Sequence, residues 1–201
     1  MNPSAQNGRG TSPQEARKRL MEGNVRFSTG KMTHPGNSPE RRAEIAKGQH
    51  PFAVVVGCSD SRVPPELLFD QGLGDLFVVR LAGNILSDEA LGSIEYAVDH
   101  LNVRYLMVLG HQRCGAVEAA VKGGHAEGQI GSLLRAVGPA VQKAGGMAGD
   151  RVENIVVANV GLIVDRLKTS PPILKDLVEK GELVIEGARY DLEEGTVKIV
   201  Q

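Results

Sequence analysis

Aromatic side chains are scarce in this sequence. They make up 3% of its 201 residues and tryptophan is absent, which argues against the stacking platforms that hold bases. An excess of one charge is missing too. Lys and Arg number 23 against 24 Asp and Glu, a formal net charge of −1, so no basic face is predicted for nucleic acid. No apolar run reaches the ~18–20 residues that a membrane span needs. The opening MNPSAQNGRGTSPQ lacks the apolar core of a signal peptide. These absences predict a cytoplasmic chain with no nucleic-acid and no membrane partner. Cysteine is reduced to two residues, Cys58 and Cys114. That is too few for a disulfide scaffold, and leaves a single bridge, two buried thiols or a metal site.

What is present is an alternation of apolar runs and amphipathic segments, on a chain long enough to bury one substantial core. Residues 1–11 are polar and rich in Gly, Ser and Asn, and read as a disordered tail. Residues 12–50 read as an N-terminal helical arm. SPQEARKRLMEGNVRF starts with Ser12 as cap, Pro13 in the first turn and Glu15 three residues after the cap. SPERRAEIAKG repeats that grammar from Ser38, with Gly48 as its stop. Residues 51–201 read as a single α/β domain.

In that domain FAVVVG (52–57), DLFVVRLAG (75–83) and RYLMVLG (104–110) read as buried parallel strands. SDEALGSIEYAVDHL (87–101) is an amphipathic helix capped by Ser87, and further helices are expected from about Cys114 and around 129–144. ENIVVANVGLIVDRLKTS (153–170) is rich in Ile and Val, yet its length and apolar spacing predict a helix. PPILKDLVEKG is a short helix. ELVIEGARYDLEEGTVKIV closes the chain as a strand, a turn at Glu194–Gly195 and an edge strand. The fold predicted is α/β: a mostly parallel central sheet flanked by helices, with the N-terminal arm and a C-terminal edge strand outside it.

Ligands of open α/β sheets bind beyond the carboxyl ends of the strands. Two of these strands end in metal-capable residues: one in Gly57-Cys58-Ser59-Asp60, the other in Gly110-His111-Gln112-Arg113-Cys114. If the strands are neighbours, Cys58, Asp60, His111 and Cys114 converge, and two thiolates, an imidazole and a carboxylate make a tetrahedral zinc set. Each residue alone has a plainer reading, as a small buried hydrophobe or a hydrogen-bonded core histidine. It is their joint placement that points to a metal. Arg62 bears on the kind of site. A closed structural zinc needs no adjacent cation, whereas an Arg two residues from Asp60 can pair with it in bidentate fashion and draw it off the metal. That would open a position for a water acidified by zinc. Elsewhere Gly72-Leu73-Gly74 is no dinucleotide fingerprint. His34, His50, His100 and His125 read as solvated or structural, and Glu40-Arg41-Arg42 as a charged helix face.

CSDSR at 58–62 and HQRCG at 111–115 together resemble the two signatures of the β-class carbonic anhydrases. The similarity extends through PELLFDQGLGDLFVVRLAGN and GSIEYAVDHL, and covers essentially residues 12–200. The resemblance implies reversible hydration of CO2 to bicarbonate and a proton, with zinc held by Cys58, His111 and Cys114 and attack by a zinc-bound hydroxide. Asp60 would be the fourth ligand of a closed state or, paired with Arg62, the acceptor that orients the hydroxide. Gln71 matches a glutamine that reaches substrate across a dimer interface, and Gly115 lets backbone approach the site. A homodimer or dimer of dimers is implied, with the helical arm wrapped on the partner. The tryptophan of relatives that bind a second, regulatory bicarbonate is replaced by Val55. The same zinc chemistry would also serve hydrolysis of COS or CS2, and a noncatalytic zinc protein is the alternative from another class.

Overall fold

The computed structural model describes residues 10–124 and 126–201. The expected tail therefore falls mostly outside the described residues, as does His125. Five strands form one sheet in the order β2-β1-β3-β4-β5: β1 Ala53–Gly57, β2 Leu76–Arg80, β3 Tyr105–His111, β4 Val184–Tyr190 and β5 Val197–Ile199. The first four run parallel, and β5 pairs antiparallel with β4 at the edge. From β1 the chain crosses to one side for β2 and to the other for β3, so the strand order reverses between β1 and β3. That is where open sheets of this kind leave a crevice at their carboxyl ends.

The central strands are continuous apolar runs because both of their faces are covered. On one face Ala53, Val55, Tyr105 and Met107 pack with Ala16 and Leu20 of α1 (Pro13–Ser28) and Leu68 of α3 (Pro65–Leu68). The same cluster takes in Val117 of α5 (Gly115–Lys122) and Val137 of α6 (Ile130–Lys143). On the other face Val54, Val56, Leu106, Val108 and Ile185 pack with α4 (Asp88–Asp99), α7 (Arg151–Lys168) and α8 (Ile173–Glu179). The apolar positions of α7 do follow helical spacing: Val156, Val160, Val164 and Leu167 are all buried. A Cβ on Gly110 would stand 2.6 Å from Val160 Cγ2. Only glycine lets α7 lie this close over the end of β3.

The predicted caps form. Ser12, Ser38 and Ser87 each accept the backbone N–H three residues on, at 3.2 Å, and so satisfy donors that a helix start leaves free. The segment Pro39–Ile45 forms α2 and buries none of its residues. Helix α1 is tied to the body by Asn24, whose Nδ2 donates to the carbonyls of Leu68 (3.1 Å) and Gly195 (2.9 Å) and whose Oδ1 accepts from Val197 N–H. Two of the boundaries that differ from the sequence reading bear on the site. Strand β3 runs one residue past Gly110, because His111 still pairs in register with Tyr190. Strand β2 stops at Arg80 rather than Gly83, because Ala82–Asn84 coils into a 3-10 turn with Gly83 at φ 72°.

Candidate metal centre

Cys58 is the first residue after β1, His111 the last of β3, and Cys114 the cap of α5. Strands β1 and β3 are direct neighbours, with Gly57 opposite Leu109. The pairing carries the three side chains to one point at the carboxyl edge. Cys58, His111 and Cys114 are buried, and one ligand atom from each lies within 4.8 Å of the other two. Both thiols are free.

The donor chemistry fits a metal. His111 Nδ1 lies 2.9 Å from the Gln112 carbonyl. A carbonyl only accepts, so Nδ1 carries the proton and Nε2 presents a lone pair. Nε2 is buried without a hydrogen-bond partner, as is Asn84 Nδ2. A buried lone pair facing two thiols, with its tautomer fixed from behind, is the arrangement of a ligating imidazole. The thiols are matched to that role. Cys58 is held well below the ordinary thiol range, first by the bond from Cys114 and then, against the cost of burial, by the N–H groups of Asp60 and Gly83. Cys114 is pushed up in turn by its bond to Cys58 and by burial.

Asp60 and Arg62 stand at the rim. Arg62 Nε and Nη2 donate to the two Asp60 carboxylate oxygens at 2.9 and 2.7 Å, and the Arg62 backbone N–H adds a third bond at 2.9 Å. This fork holds Asp60 at about 2, below the usual carboxylate range. Asp60 Oδ2 lies 3.9 Å from His111 Nε2, close to the cluster while bonded to the arginine.

Gln71 and Gly115 are placed differently. A Cβ on Gly115 would meet no protein atom within 4 Å, so the first turn of α5 faces open space beside Cys114. Gln71 donates to the Phe69 carbonyl at 2.7 Å. It lines a cleft of about 180 Å³ with Met32, His34, Asp70 and Leu73, and none of the three clustered residues reaches that cleft.

Sequence reasoning missed Arg80. From the end of β2 its Nε donates to the Cys58 carbonyl at 2.7 Å and its Nη2 to the Asp60 carbonyl at 2.6 Å, so one guanidinium fixes the backbone on either side of Ser59. The available signal was a charge at the end of an apolar strand, which acquires meaning only when β2 is known to lie beside β1.

Comparison with known proteins agrees with this geometry. The family model described as carbonic anhydrase matches residues 53–197. The chain is 42% identical over 189 residues to carbonic anhydrase 2 of Mycobacterium tuberculosis, covering 92% of this chain and 91% of that one. It is 39% identical over 193 residues to a carbonic anhydrase of Mycolicibacterium smegmatis, covering 94% of each. Among solved structures, tetrameric β-carbonic anhydrases from Sordaria macrospora superpose with a TM-score of 0.73 at 26% identity, covering 91% of this chain and 95% of that chain. With the family model matching residues 53–197 and relatives 39–42% identical over nine-tenths of its length, the chain belongs to the β-carbonic anhydrase family and is an enzyme of it.

Proposed function

We propose that this enzyme hydrates CO2 reversibly to bicarbonate and a proton at a zinc ion held by Cys58, His111 and Cys114. The observation that carries the reading is the buried, partnerless Nε2 of His111 facing two thiols. Zinc bound there would supply a Lewis acid that makes water a nucleophile near neutral pH. The remaining work falls to the chain's own groups. Asp60, kept ionised by Arg62, can accept only, so it takes a hydrogen bond from the attacking oxygen and turns a lone pair toward the carbon of CO2. Arg62 holds that carboxylate in the outward position, and release of the fork would let Asp60 swing to the metal as a fourth ligand. Gly115 leaves space beside Cys114 for the small substrate.

Gln71 is assigned to substrate from the neighbouring subunit of a homodimer or dimer of dimers. Leu67 and Leu73, 51% and 43% exposed, and Val25, at 61%, favour such an assembly. The assignment divides the chain into an arm at 12–50 that wraps the partner and a zinc-binding domain at 51–201. Two buried thiols left unbridged favour the cytoplasm. Among the described residues no helix is long and apolar enough to cross a membrane.

Stopped-flow CO2 hydration from neutral to alkaline pH, on protein assayed for zinc, tests the reading. Turnover that rises through one ionisation is expected. Full zinc occupancy without hydration at any pH would overturn it, and assays with COS and CS2 would then separate a related hydrolase from a noncatalytic zinc protein.

A further inference from the structure

Cys58 Sγ accepts two backbone N–H groups, from Asp60 at 3.4 Å and from Gly83 at 3.2 Å. The first is local to the loop. The second comes from the 3-10 turn after β2, and its direction depends on a backbone conformation that the turn alone does not secure. Gly83 sits at φ 72°, ψ 20°, in the left-handed region that favours glycine. A Cβ there would also press on Ala116 Cβ at 3.1 Å and Val137 Cγ2 at 3.3 Å.

One side chain grips this residue from the other side. Asn159 of α7 is 2% exposed, and its Nδ2 donates to the Gly83 carbonyl at 2.9 Å. The carbonyl and the N–H of Gly83 flank the same Cα but belong to different peptide groups. The bond therefore acts by fixing the orientation of the residue, not by polarising one peptide through another. Asn159 lies on the turn of α7 whose Val156 and Val160 close over Gly110 of β3, one residue before the end-of-strand His111. The same helix turn sets the distance to β3 on one side and the aim of the Gly83 N–H on the other. A buried amide is costly unless it is hydrogen-bonded, and the bond Asn159 makes is to the residue whose own N–H reaches the Cys58 sulfur.

We propose that Asn159 is a positioning residue for the metal: it clamps Gly83 so that the Gly83 N–H withdraws charge from the Cys58 thiolate, leaving the bound ion more electrophilic. A hydrogen bond to a ligand atom tunes a metal in this way. The inference rests on the zinc-site reading above, although not on the identity of the substrate.

The test uses the full chain with zinc replaced by Co(II), or by an NMR-active cadmium isotope, in wild type and Asn159→Leu. In the wild type the Gly83 amide proton should show a scalar coupling to cadmium across the hydrogen bond. In Asn159→Leu that coupling should vanish, and the sulfur-to-cobalt charge-transfer band should move to lower energy. CO2 hydration by the zinc form should fall ~10-fold or more, within the ~10–100-fold span of such outer partners. A residue that merely filled space would change the melting temperature and leave band and coupling in place, and that result overturns the proposal. If Asn159→Leu does not fold, Asn159→Ser replaces it. Absence of the Gly83 coupling in the wild type overturns the clamp whatever the variants do. Wild type that shows the coupling and the band but hydrates no CO2 overturns the enzymatic reading and leaves the clamp standing.

Discussion

Cys58, His111 and Cys114 come from two adjacent strands and the turn that follows one of them. Gln71 comes from the loop after α3, in a cleft walled by the N-terminal arm. The first group is buried, and its lone pairs and thiols face one another within a single chain. The second faces outward, with Leu67 and Leu73 half exposed around it. A cluster that needs fixed, buried donor atoms is assembled by the sheet, where the register of β1, β3 and β4 sets their positions. A substrate contact supplied on an exposed rim has no such guarantee from its own chain. It needs a second surface to hold it, and exposed leucines are what such a surface would cover.

The largest expected effect would break the first half of the comparison. Cys58→Ser removes a clustered sulfur that accepts two backbone N–H groups. Zinc affinity should fall by more than the ~10–100-fold that outer partners cost, measured by chelator competition. Zinc retention equal to wild type would mean that Cys58 is not a ligand. The next effect separates holding metal from using it. Asp60→Ala should keep zinc near one per chain while CO2 hydration drops ~10²–10³-fold, the cost of deleting one preorganised polar contact at a reacting oxygen. Undiminished turnover would remove Asp60 and Arg62 from the mechanism.

These two halves were not equally readable from sequence. The strand-end cluster was legible because each motif carries its own address: an apolar run ends, and the ligand follows within a few residues. Only the adjacency of β1 and β3 had to be supplied, and the topology supplies it. Arg80 and Asn159 were not legible. Arg80 bonds to carbonyls 20 and 22 positions back along the chain, and Asn159 to one 76 positions back. An arginine ending a strand and an asparagine in a helix carry no local signature of those partners. The role proposed for Gln71 rests on resemblance alone, since no spacing rule marks a residue proposed to act on another subunit's site. The fold was read well where periodicity is strong, as in α7, and less well where a turn overrides propensity, as at Ala82–Asn84.

A third prediction concerns what holds the cleft in shape. Asp70 is buried there, and burial alone would raise its carboxyl, yet it is held at about 2 by Arg26 and by the N–H groups of Thr33 and His34 and the Thr33 hydroxyl. The Arg26 bond is 2.6 Å long. Its folded value lies below the ~3.9 of a free aspartate, so the stabilisation is complete above about pH 4. It fades as pH falls through that value toward the folded one near 2. Asp70→Asn should cost about 3 kcal/mol at neutral pH, the low end for breaking a buried pair because Arg26 is partly exposed. It should also flatten the acid limb of stability, read by denaturant unfolding from pH 7 to 3. An unchanged slope would mean that the pair is incidental to the cleft.

The smallest effect is the most informative about assembly. Gln71→Ala should raise KM for CO2 several-fold with zinc content unchanged, if Gln71 contributes only binding to substrate. Leu73→Glu puts a charge on the exposed apolar wall of the same cleft and should shift the chain toward monomer, read by analytical ultracentrifugation. If Gln71 works only across a subunit boundary, the two losses are one loss. The monomeric Leu73→Glu variant should then already show the Gln71→Ala defect, and the double variant should be no worse. Additive losses would mean that Gln71 acts within its own chain or that the assembly serves another purpose. The non-additivity decides the matter, because each substitution alone could lower activity for unrelated reasons. Only a shared physical contact makes the second substitution silent after the first.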